Sequence, residues 1–284
     1  MSLFKNFLSQ IGRRFGSAPQ GTFRRSARNF LLLMTVLPFL ACLSLQRAVT
    51  VHTIGDSTMA DKKAEVYPET GWGQALPAFF NRKVTVRNYA VNGRSTKSFI
   101  AEGRWQTVLD NLKPGDYVFI QFGHNDQKIQ DPVRYATPFD GYQRNLERFV
   151  REAREKQAIP ILFTPIVRRK FDPSGKLIDT HGDYPAAVKQ VAAGMQVPLI
   201  DLQQKTAELV QSLGDEPSKK IYLWTGPTEK FPKERNDDTH LSVEGAAAVA
   251  RLAVAELQRQ KLPLAKYVIK KKVTHHLKDH IQNK

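Results

Sequence analysis

Apolar residues in the middle of the chain fall into five short runs, and longer amphipathic stretches lie between or after them. The runs are rich in β-branched and aromatic residues and have the length of buried strands. They cover residues 49–54, 84–88, 117–122, 160–164 and 197–201. Apolar residues at helical spacing cover residues 142–156, 185–196 and 243–260. The pattern therefore predicts strands that alternate with helices.

Strands that alternate with helices are typical of an α/β domain with a parallel sheet. Crossovers between parallel strands are right-handed, and sequential strands tend to be neighbours. We therefore predict an open five-stranded parallel sheet between two layers of helices. The 284-residue chain has no linker-like break in this region, so we expect one domain at residues 48–266. A basic and apolar segment at residues 1–47 precedes it, and a basic tail at residues 267–284 follows it.

Three polar motifs follow the first three predicted strands. Ser57 lies in the motif GDSTM, Gly93 in NGRS and Asn125 in GHND. Because the carboxyl ends of parallel strands meet at one edge of a sheet, we expect these residues to lie together. Attack on an ester carbonyl creates a negative oxygen, which the backbone N–H groups of Ser57 and Gly93 and the amide of Asn125 would suit. Glycine at position 93 would let the backbone approach closely.

The segment DDTH at residues 237–240 supplies a base and two carboxylates. A histidine can take the proton of a serine nucleophile while a carboxylate on its other ring nitrogen fixes the tautomer. A turn that enters a helix would place Asp237 beside His240, and Asp238 is a rival for this role. The alternative is that both carboxylates are only solvent-exposed residues of the loop before the next helix. With Ser57 upstream, the set predicts a nucleophile, a base and an orienting acid.

The motifs, in this order, resemble the four signature residues of the SGNH (GDSL-type) hydrolase superfamily. Within it, the chain is similar to the rhamnogalacturonan acetylesterase-like branch, carbohydrate esterase family 12, over most of residues 50–266. The resemblance rests on five segments: GDSTM at 55–59, GWG at 71–73, NGRSTKSF at 92–99, GHND at 123–126 and DDTHLS at 237–242.

This resemblance implies a three-layer α/β/α sandwich with flavodoxin-like topology. It implies that Ser57, Asp237 and His240 are the catalytic residues, and that Ser57, Gly93 and Asn125 form the oxyanion hole. The enzyme would be a serine esterase that removes acetyl groups from a plant cell-wall polysaccharide such as rhamnogalacturonan or pectin. The reaction would pass through an acyl-enzyme on Ser57.

Aromatic and cationic residues near the motifs are candidates for substrate binding. The ring of Trp72 could stack on a sugar, and His124 could contact the substrate. Arg94 and Lys97 follow Gly93 and could pair with uronate carboxylates. Core packing is the default expectation for the tryptophan, and stacking on a sugar is the functional alternative. The sequence leaves rhamnogalacturonan, acetylated homogalacturonan and xylan open as the acetylated glycan.

Two other classes of function stay open. A lipid esterase or thioesterase on the same scaffold would need an apolar groove for the acyl chain. A catalytically silent glycan-binding protein would have a broken triad. The charged and aromatic residues around the motifs favour a sugar substrate, and the complete set of Ser57, Asp237 and His240 favours an enzyme.

The N-terminal region has the pattern of a secretory signal. Residues 1–29 contain six Lys or Arg and no acidic residue, and residues 30–45 form 16 positions without a charge. This stretch is short for a membrane span and contains Pro38, which favours a cleaved signal over a retained anchor. Cys42, the only cysteine, is a candidate for lipidation. We expect a secreted or periplasmic protein, with membrane anchoring through residues 30–45 as the alternative.

The formal net charge of +16 is concentrated at the two ends of the chain. The C-terminal tail has neither interleaved aromatic residues nor a recognised binding module, so we expect no nucleic-acid partner. Its histidines, at positions 275, 276 and 280, lack further ligands, and we expect no metal there. No phosphate-binding loop or dinucleotide fingerprint appears, so we expect no cofactor. We expect a monomer that acts on an acetylated polysaccharide or oligosaccharide.

Overall fold

Five parallel strands form the central sheet of the protein, which is described here by a computed structural model covering residues 48–269. The strands are β1 (Val49–Gly55), β2 (Val84–Asn88), β3 (Tyr117–Gln121), β4 (Ile159–Phe163) and β5 (Leu199–Ile200). Their spatial order is β2-β1-β3-β4-β5. This is the doubly wound, flavodoxin-like order, in which the ligand crevice lies at the carboxyl ends of β1 and β3.

The predicted strands and their parallel arrangement are confirmed, but the fifth strand is shorter than expected. β5 contains only two residues, which pair with Leu162 and Phe163 of β4. Asp201 was predicted to end this strand, but its side chain caps the next helix by accepting the N–H of Gln204 at 3.1 Å. The apolar run therefore ends where an acidic residue starts the helix, which hydrophobic pattern alone does not reveal.

Helices cover both faces of the sheet. They are α1 (Trp72–Ala75), α2 (Thr96–Ala101), α3 (Arg104–Asn111), α4 (Gln143–Glu155), α5 (Tyr184–Gly194), α6 (Leu202–Leu213), α7 (Asp215–Ser218) and α8 (Val243–Arg259). Shorter 3₁₀ turns lie at Ala64–Val66, Leu76–Phe79, Lys219–Ile221 and Pro263–Tyr267, and a π-helical turn at Pro138–Tyr142. The three predicted helices correspond to α4, α5 and α8, with ends that agree within two residues.

Side chains alternate between the two faces of the sheet and fill two separate hydrophobic cores. Phe119 and Phe163 face one core, which α1, α6 and α8 close. Val118 and Leu162 face the other, which α2, α3, α4 and α5 close. All four residues are fully buried or nearly so. Strands buried on both faces appear in the sequence as continuous apolar runs, and the three-layer α/β/α sandwich is confirmed.

A two-stranded antiparallel hairpin outside the main sheet carries the DDTH segment. Its strands are β6 (Tyr222–Thr225) and β7 (Arg235–Leu241). The sequence predicted a turn that enters a helix at residues 237–240, but these residues belong to β7. The hydrogen-bonded turn from Asp237 to His240 is present, but the strand that contains it was not predicted, because β7 is almost entirely polar and shows no alternation of apolar residues.

The pairing within the hairpin is irregular. Tyr222 faces Leu241, whereas the adjacent Leu223 faces Asp237, so three residues of β7 bulge out between these two pairs. Bulges of this kind bend a strand and redirect its side chains. The N–H of Thr70 donates to the carbonyl of Leu241 at 3.0 Å and ties the end of the hairpin to the loop after β1.

The packed domain continues beyond the predicted boundary at residue 266. Tyr267 is buried, and Val268 forms an antiparallel bridge with Phe80. The N–H of Ile269 donates to the carbonyl of Phe79 at 3.0 Å. The predicted signal or anchor at residues 30–45 and the tail histidines lie outside the described residues. Within residues 48–269, no helix combines the length and apolar character that a membrane span requires.

Candidate active site

Ser57 lies in a tight turn just after β1, at the carboxyl edge of the sheet. The Oδ1 atom of Asp56 accepts hydrogen bonds from the Thr58 N–H at 2.9 Å and the Thr58 hydroxyl at 2.8 Å. The Thr58 carbonyl in turn accepts the N–H of Trp72 at 2.9 Å. Ser57 is largely buried, with 9% of its surface exposed, and it belongs to neither hydrophobic core.

A hydrogen-bonded chain connects Ser57 to the hairpin. The Nε2 atom of His240 lies 2.9 Å from the Oγ atom of Ser57. The Nδ1 atom of the same ring lies 2.7 Å from Oδ2 of Asp237. The other carboxylate oxygen of Asp237 accepts the backbone N–H groups of Thr239 and His240 at 2.8 and 2.9 Å. This arrangement orients the imidazole so that Nε2 can take the serine proton.

Asp237 is held in its charged form. Burial alone would raise the pKa of its carboxyl, but the hydrogen bond from the His240 ring opposes this. Together with the backbone N–H groups of His240 and Thr239, it holds the pKa of Asp237 well below the usual range. A permanently charged carboxylate is what stabilises the imidazolium that forms when histidine acts as a base.

Asp238, the rival for the orienting role, points to different partners. Its Oδ1 atom accepts hydrogen bonds from Arg169 and from the indole N–H of Trp224, both at 2.8 Å. The guanidinium of Arg169 also pairs with Asp215 and lies 4.9 Å from the Trp224 ring centroid. Asp238 therefore contributes to the packing of the hairpin, and the carboxylate beside His240 is Asp237.

Gly93 occupies a backbone conformation that favours glycine. Its φ angle is +76°, in the left-handed region. We expected close backbone approach to be the reason for glycine here. A Cβ atom at this position would meet only the guanidinium of Arg134, at 3.8 Å, which is ordinary contact. The positive φ favours glycine here, and close approach of this backbone to an oxyanion stays a prediction.

Asn125 and Gly93 belong to two loops that hydrogen bonds clamp together. The Nδ2 atom of Asn125 donates to the carbonyl of Arg94 at 3.1 Å. The Oδ1 atom of Asp126 accepts both the N–H of Thr96, at 2.9 Å, and its hydroxyl. Since an amide NH₂ has two hydrogens, Asn125 keeps one donor for another acceptor. Asn125 is 3% exposed, so a hydrogen bond that it makes would be poorly screened by water.

Asp126 is a buried carboxyl group at the centre of this clamp. Burial raises its pKa to about 7, against the opposing effect of the hydrogen bonds from Thr96. Its Oδ2 atom has no hydrogen-bond partner among the described residues. The folded protein therefore favours the protonated form of this group more strongly than the unfolded chain does.

This raised pKa predicts a pH-dependent effect of Asp126→Asn. The stabilising contribution of the protonated carboxyl is complete below about pH 4 and is lost as the pH rises through about 7. Asparagine does not titrate, so the variant does not lose stability in this way as the pH rises. The Tm of the variant relative to that of the wild type should therefore rise between pH 5 and pH 8. Effects of the buried histidines cancel in this difference. Thermal unfolding across this range measures it, and a difference that is independent of pH would contradict the raised pKa.

Trp72 is not available to a sugar ring. Its side chain is completely buried, and its indole N–H donates to Oε1 of Gln121 at 2.5 Å. The amide of Gln121 donates in turn to the hydroxyl of Thr58, beside Ser57, at 3.2 Å. The alternative that Trp72 stacks on substrate was therefore wrong, and the default expectation of core packing applies. Its contribution is to support the turn that carries Ser57.

Arg94 and Lys97 lie at the surface, but both heads already have partners. The Nε atom of Arg94 pairs with Glu102 at 3.0 Å, and its Nη1 donates to the carbonyl of Asn92. The ammonium of Lys97 donates to the carbonyl of Pro132 at 2.6 Å. Their expected role in binding uronate is untested, and a carboxylate would compete with Glu102 for Arg94.

His124 lies behind the site. It is 3% exposed, its Nδ1 is 3.3 Å from Oδ2 of Asp56, and its ring packs edge-on against His181 at 4.6 Å between centroids. Burial lowers the pKa of both histidines, and for His124 this outweighs the opposing charge of Asp56. The ring is therefore neutral and enclosed, which suits support of the Asn125 loop better than contact with a sugar.

Sequence reasoning did not single out Arg134, although its guanidinium lies beside Gly93. The residue belongs to a loop without a recognisable motif and pairs with Asp131 at 3.1 Å. No group of three or more His, Cys, Asp or Glu residues within 48–269 is arranged to hold a metal ion.

Comparison with known proteins places this site in a family. The chain matches the GDSL-like Lipase/Acylhydrolase family over residues 53–248. It is 39% identical to rhamnogalacturonan acetylesterase RhgT of Bacillus subtilis, over 82% of this chain and 100% of that protein. It is 37% identical to the probable rhamnogalacturonan acetylesterase YesY of the same organism, over 78% of this chain and 95% of that protein.

A solved structure is also similar. The crystal structure of protein YxiM from Bacillus subtilis superimposes with a TM-score of 0.65 at 29% identity. The match covers 75% of this chain and 57% of that one, so this chain spans little more than half of that protein. The chain therefore belongs to the GDSL-like Lipase/Acylhydrolase family, as a rhamnogalacturonan acetylesterase-like carboxylic ester hydrolase.

Proposed function

We propose that the protein is a serine acetylesterase that removes acetyl groups from a pectin-like polysaccharide, with Ser57 as nucleophile. The observation that carries this proposal is the hydrogen-bonded chain from Asp237 through His240 to Ser57. The substrate class is supported by the relatives named rhamnogalacturonan acetylesterase, which match over nearly their whole length.

We propose the following reaction for these groups. Ser57 Oγ attacks the acetyl carbonyl while its proton passes to Nε2 of His240, and Asp237 stabilises the imidazolium. The tetrahedral oxygen accepts hydrogen bonds from the N–H groups of Ser57 and Gly93 and from the amide of Asn125. His240 then protonates the departing sugar oxygen, which leaves acetyl-Ser57. Water attacks this ester with His240 again as base, which releases acetate and restores Ser57.

The assignment of Asn125 predicts a selective effect on turnover. Asn125→Ala should lower kcat on a small acetyl ester by about a hundred- to a thousandfold, with KM nearly unchanged. In this role the amide of Asn125 binds a charge that exists only in the transition state, so the affinity for the substrate depends little on the amide. Steady-state kinetics provide the measurement. A raised KM with normal kcat would mean that Asn125 holds the substrate and not the tetrahedral oxygen.

The substrate class is tested by comparing three esters. The wild-type protein should release acetate from acetylated rhamnogalacturonan or homogalacturonan fragments and should hydrolyse 4-nitrophenyl acetate. It should act poorly on a long-chain nitrophenyl ester, since the proposed substrate carries only a two-carbon acyl group. Preference for the long-chain ester would instead support a lipid esterase. Separate assays on the two pectic fragments and on acetylated xylan identify the glycan.

We further propose that the protein is exported, with residues 30–45 acting as a signal or anchor. The basic segment followed by an uncharged apolar stretch supports this proposal. Cell fractionation and N-terminal sequencing of the recovered protein test it. A cleaved signal predicts a shortened protein outside the cytoplasm, an anchor predicts a full-length protein in the membrane fraction, and a full-length cytoplasmic protein would contradict the proposal.

A further inference from the structure

A cavity of about 550 Å³ opens beside the hairpin that carries the proposed base. One wall contains Tyr67 and Pro68, from the segment that follows the Ser57 loop. The other wall contains Lys230, Phe231 and Arg235, from the hairpin connection and the start of β7. The volume lies in the range of small-molecule sites, and the lining combines aromatic rings with two cations.

The two cations of this cavity have no acidic partner among residues 48–269. Lys230 is exposed, and its ammonium donates to the carbonyl of Ala64 at 3.1 Å. The Nη1 atom of Arg235 donates to the carbonyl of Val66 at 3.3 Å. The Nη2 atom of Arg235 is buried without a hydrogen-bond partner. An unpaired guanidinium N–H is costly to bury, so an anionic acceptor here would be favourable.

The aromatic rings fix the geometry of this cationic site. The guanidinium carbon of Arg235 lies 4.1 Å from the centroid of the Phe231 ring. A stacked guanidinium is held in one plane and presents its N–H groups at its edge, which suits a carboxylate. Tyr67 is 39% exposed, so part of its ring is available to the apolar face of a sugar. An aromatic surface beside paired cations matches a uronate residue better than a neutral sugar.

Both walls of the cavity belong to chain segments that continue to the proposed active site. Arg235 and His240 lie on the same strand, and the five residue steps between them span at most about 17 Å. The opposite wall is tied to the end of that strand by the hydrogen bond from Thr70 to Leu241. A polysaccharide with one acetylated sugar at Ser57 can therefore place another sugar of the same chain in this cavity.

We propose that this cavity is a subsite for a uronate residue of the polysaccharide substrate. Lys230 and Arg235 bind the uronate carboxylate, and Tyr67 contacts the sugar ring. The proposal rests on the proposed function and extends it, because it assigns recognition of the acidic sugar to the hairpin. It differs from the expectation for Arg94, whose guanidinium is already paired with a carboxylate, that of Glu102.

The test compares an acetylated oligosaccharide that contains galacturonate with the same oligosaccharide after its carboxyl groups are reduced to alcohols. For the wild type, kcat/KM should be at least about tenfold higher on the acidic form, the value of one strong charge-assisted contact. In Lys230→Gln/Arg235→Gln this preference should fall to within about twofold, mainly through a higher KM. Activities are expressed relative to 4-nitrophenyl acetate, so that a general loss of active enzyme cancels.

The matched control is Lys113→Gln/Lys156→Gln, which removes two cations just before β3 and β4, at the opposite edge of the sheet. It should keep the wild-type preference. If the double variant does not fold, Lys230→Gln alone provides the test. This variant should fold, because the ammonium of Lys230 is exposed and supports no core. It should lower the preference for the acidic oligosaccharide by about threefold.

The possible failures are distinguishable. If the wild type deacetylates both oligosaccharides but shows no preference, or if the variant keeps the preference, the subsite is wrong while the proposed function stands. If the wild type hydrolyses 4-nitrophenyl acetate but neither oligosaccharide, the proposed function fails and the subsite fails with it.

Discussion

Ser57→Ala is expected to abolish ester hydrolysis while the protein still folds. In the proposed mechanism the Ser57 hydroxyl forms the covalent bond to the acetyl group, so turnover should fall by about a millionfold when it is removed. Ser57 belongs to neither hydrophobic core, and the substitution removes only one oxygen atom, so the fold should persist. Hydrolysis of 4-nitrophenyl acetate measures the effect, and circular dichroism with thermal unfolding verifies the fold.

The natural control for this variant is Ser174→Ala. Ser174 is exposed and hydrogen-bonded only to Asp172 in a surface turn. Its replacement should leave turnover within about twofold of wild type, since surface substitutions rarely alter more than local stability. A Ser57→Ala enzyme that retained a tenth of wild-type turnover would refute Ser57 as the nucleophile.

Asp237→Asn should lower kcat by about ten-thousandfold. The asparagine keeps the shape of the side chain, but it removes the charge that stabilises the imidazolium, and its NH₂ can hold His240 in the wrong tautomer. Some activity remains because Ser57, His240 and the oxyanion donors are still present. The kcat on a small acetyl ester measures the effect. An unchanged far-ultraviolet circular dichroism spectrum shows that the variant is folded.

The adjacent carboxylate provides a matched comparison. Asp238→Asn removes the same charge one residue away, but its partners are Arg169 and Trp224 and not His240. Turnover should change by less than about tenfold, while the free energy of unfolding should fall by about 1 kcal/mol, because the substitution weakens an ion pair whose carboxylate is 42% exposed. If Asp238→Asn damaged turnover more than Asp237→Asn, the orienting carboxylate would have been assigned to the wrong residue.

The parallel sheet could be predicted from sequence because its strands are buried on both faces. Burial on both faces leaves continuous apolar runs, and the turns after β1, β2 and β3 carry the motifs of Ser57, Gly93 and Asn125. The edge of a parallel sheet then brings those motifs together without any further information. The meeting of Ser57 with His240 followed from chemistry, because a nucleophile requires a base and DDTH offered one.

The hairpin that carries His240 could not be predicted in the same way. β7 has the sequence RNDDTHL, and its pairing with β6 is maintained by backbone hydrogen bonds and by contacts such as those of Trp224 with Asp238 and Arg169. A strand that lies outside the main cores needs no alternation of apolar residues, so hydrophobic periodicity does not predict it. The local turn between Asp237 and His240 was expected, but not the strand in which it is built.

The hydrogen-bond partners of individual side chains could not be predicted from the sequence either. Trp72 lies in the segment GWG at residues 71–73 and was considered as a residue that stacks on a sugar. Its indole N–H instead donates to Gln121 inside the protein. Gln121 itself appeared in the sequence as one polar residue in an apolar strand. Both residues can be interpreted only together, because a buried indole requires an acceptor and a buried amide requires a donor.

The separation of Ser57 and His240 by 183 positions affects how the enzyme becomes active during folding. Contacts between such distant residues form late, because the chain must first lose the entropy of closing a long loop. The nucleophile turn can form with β1 and β3, but the base reaches it only after β7 has paired with β6 and docked through Leu241. Regain of esterase activity in a refolding experiment therefore cannot precede docking of the hairpin, and a nascent chain that ends before residue 240 carries a serine with no base.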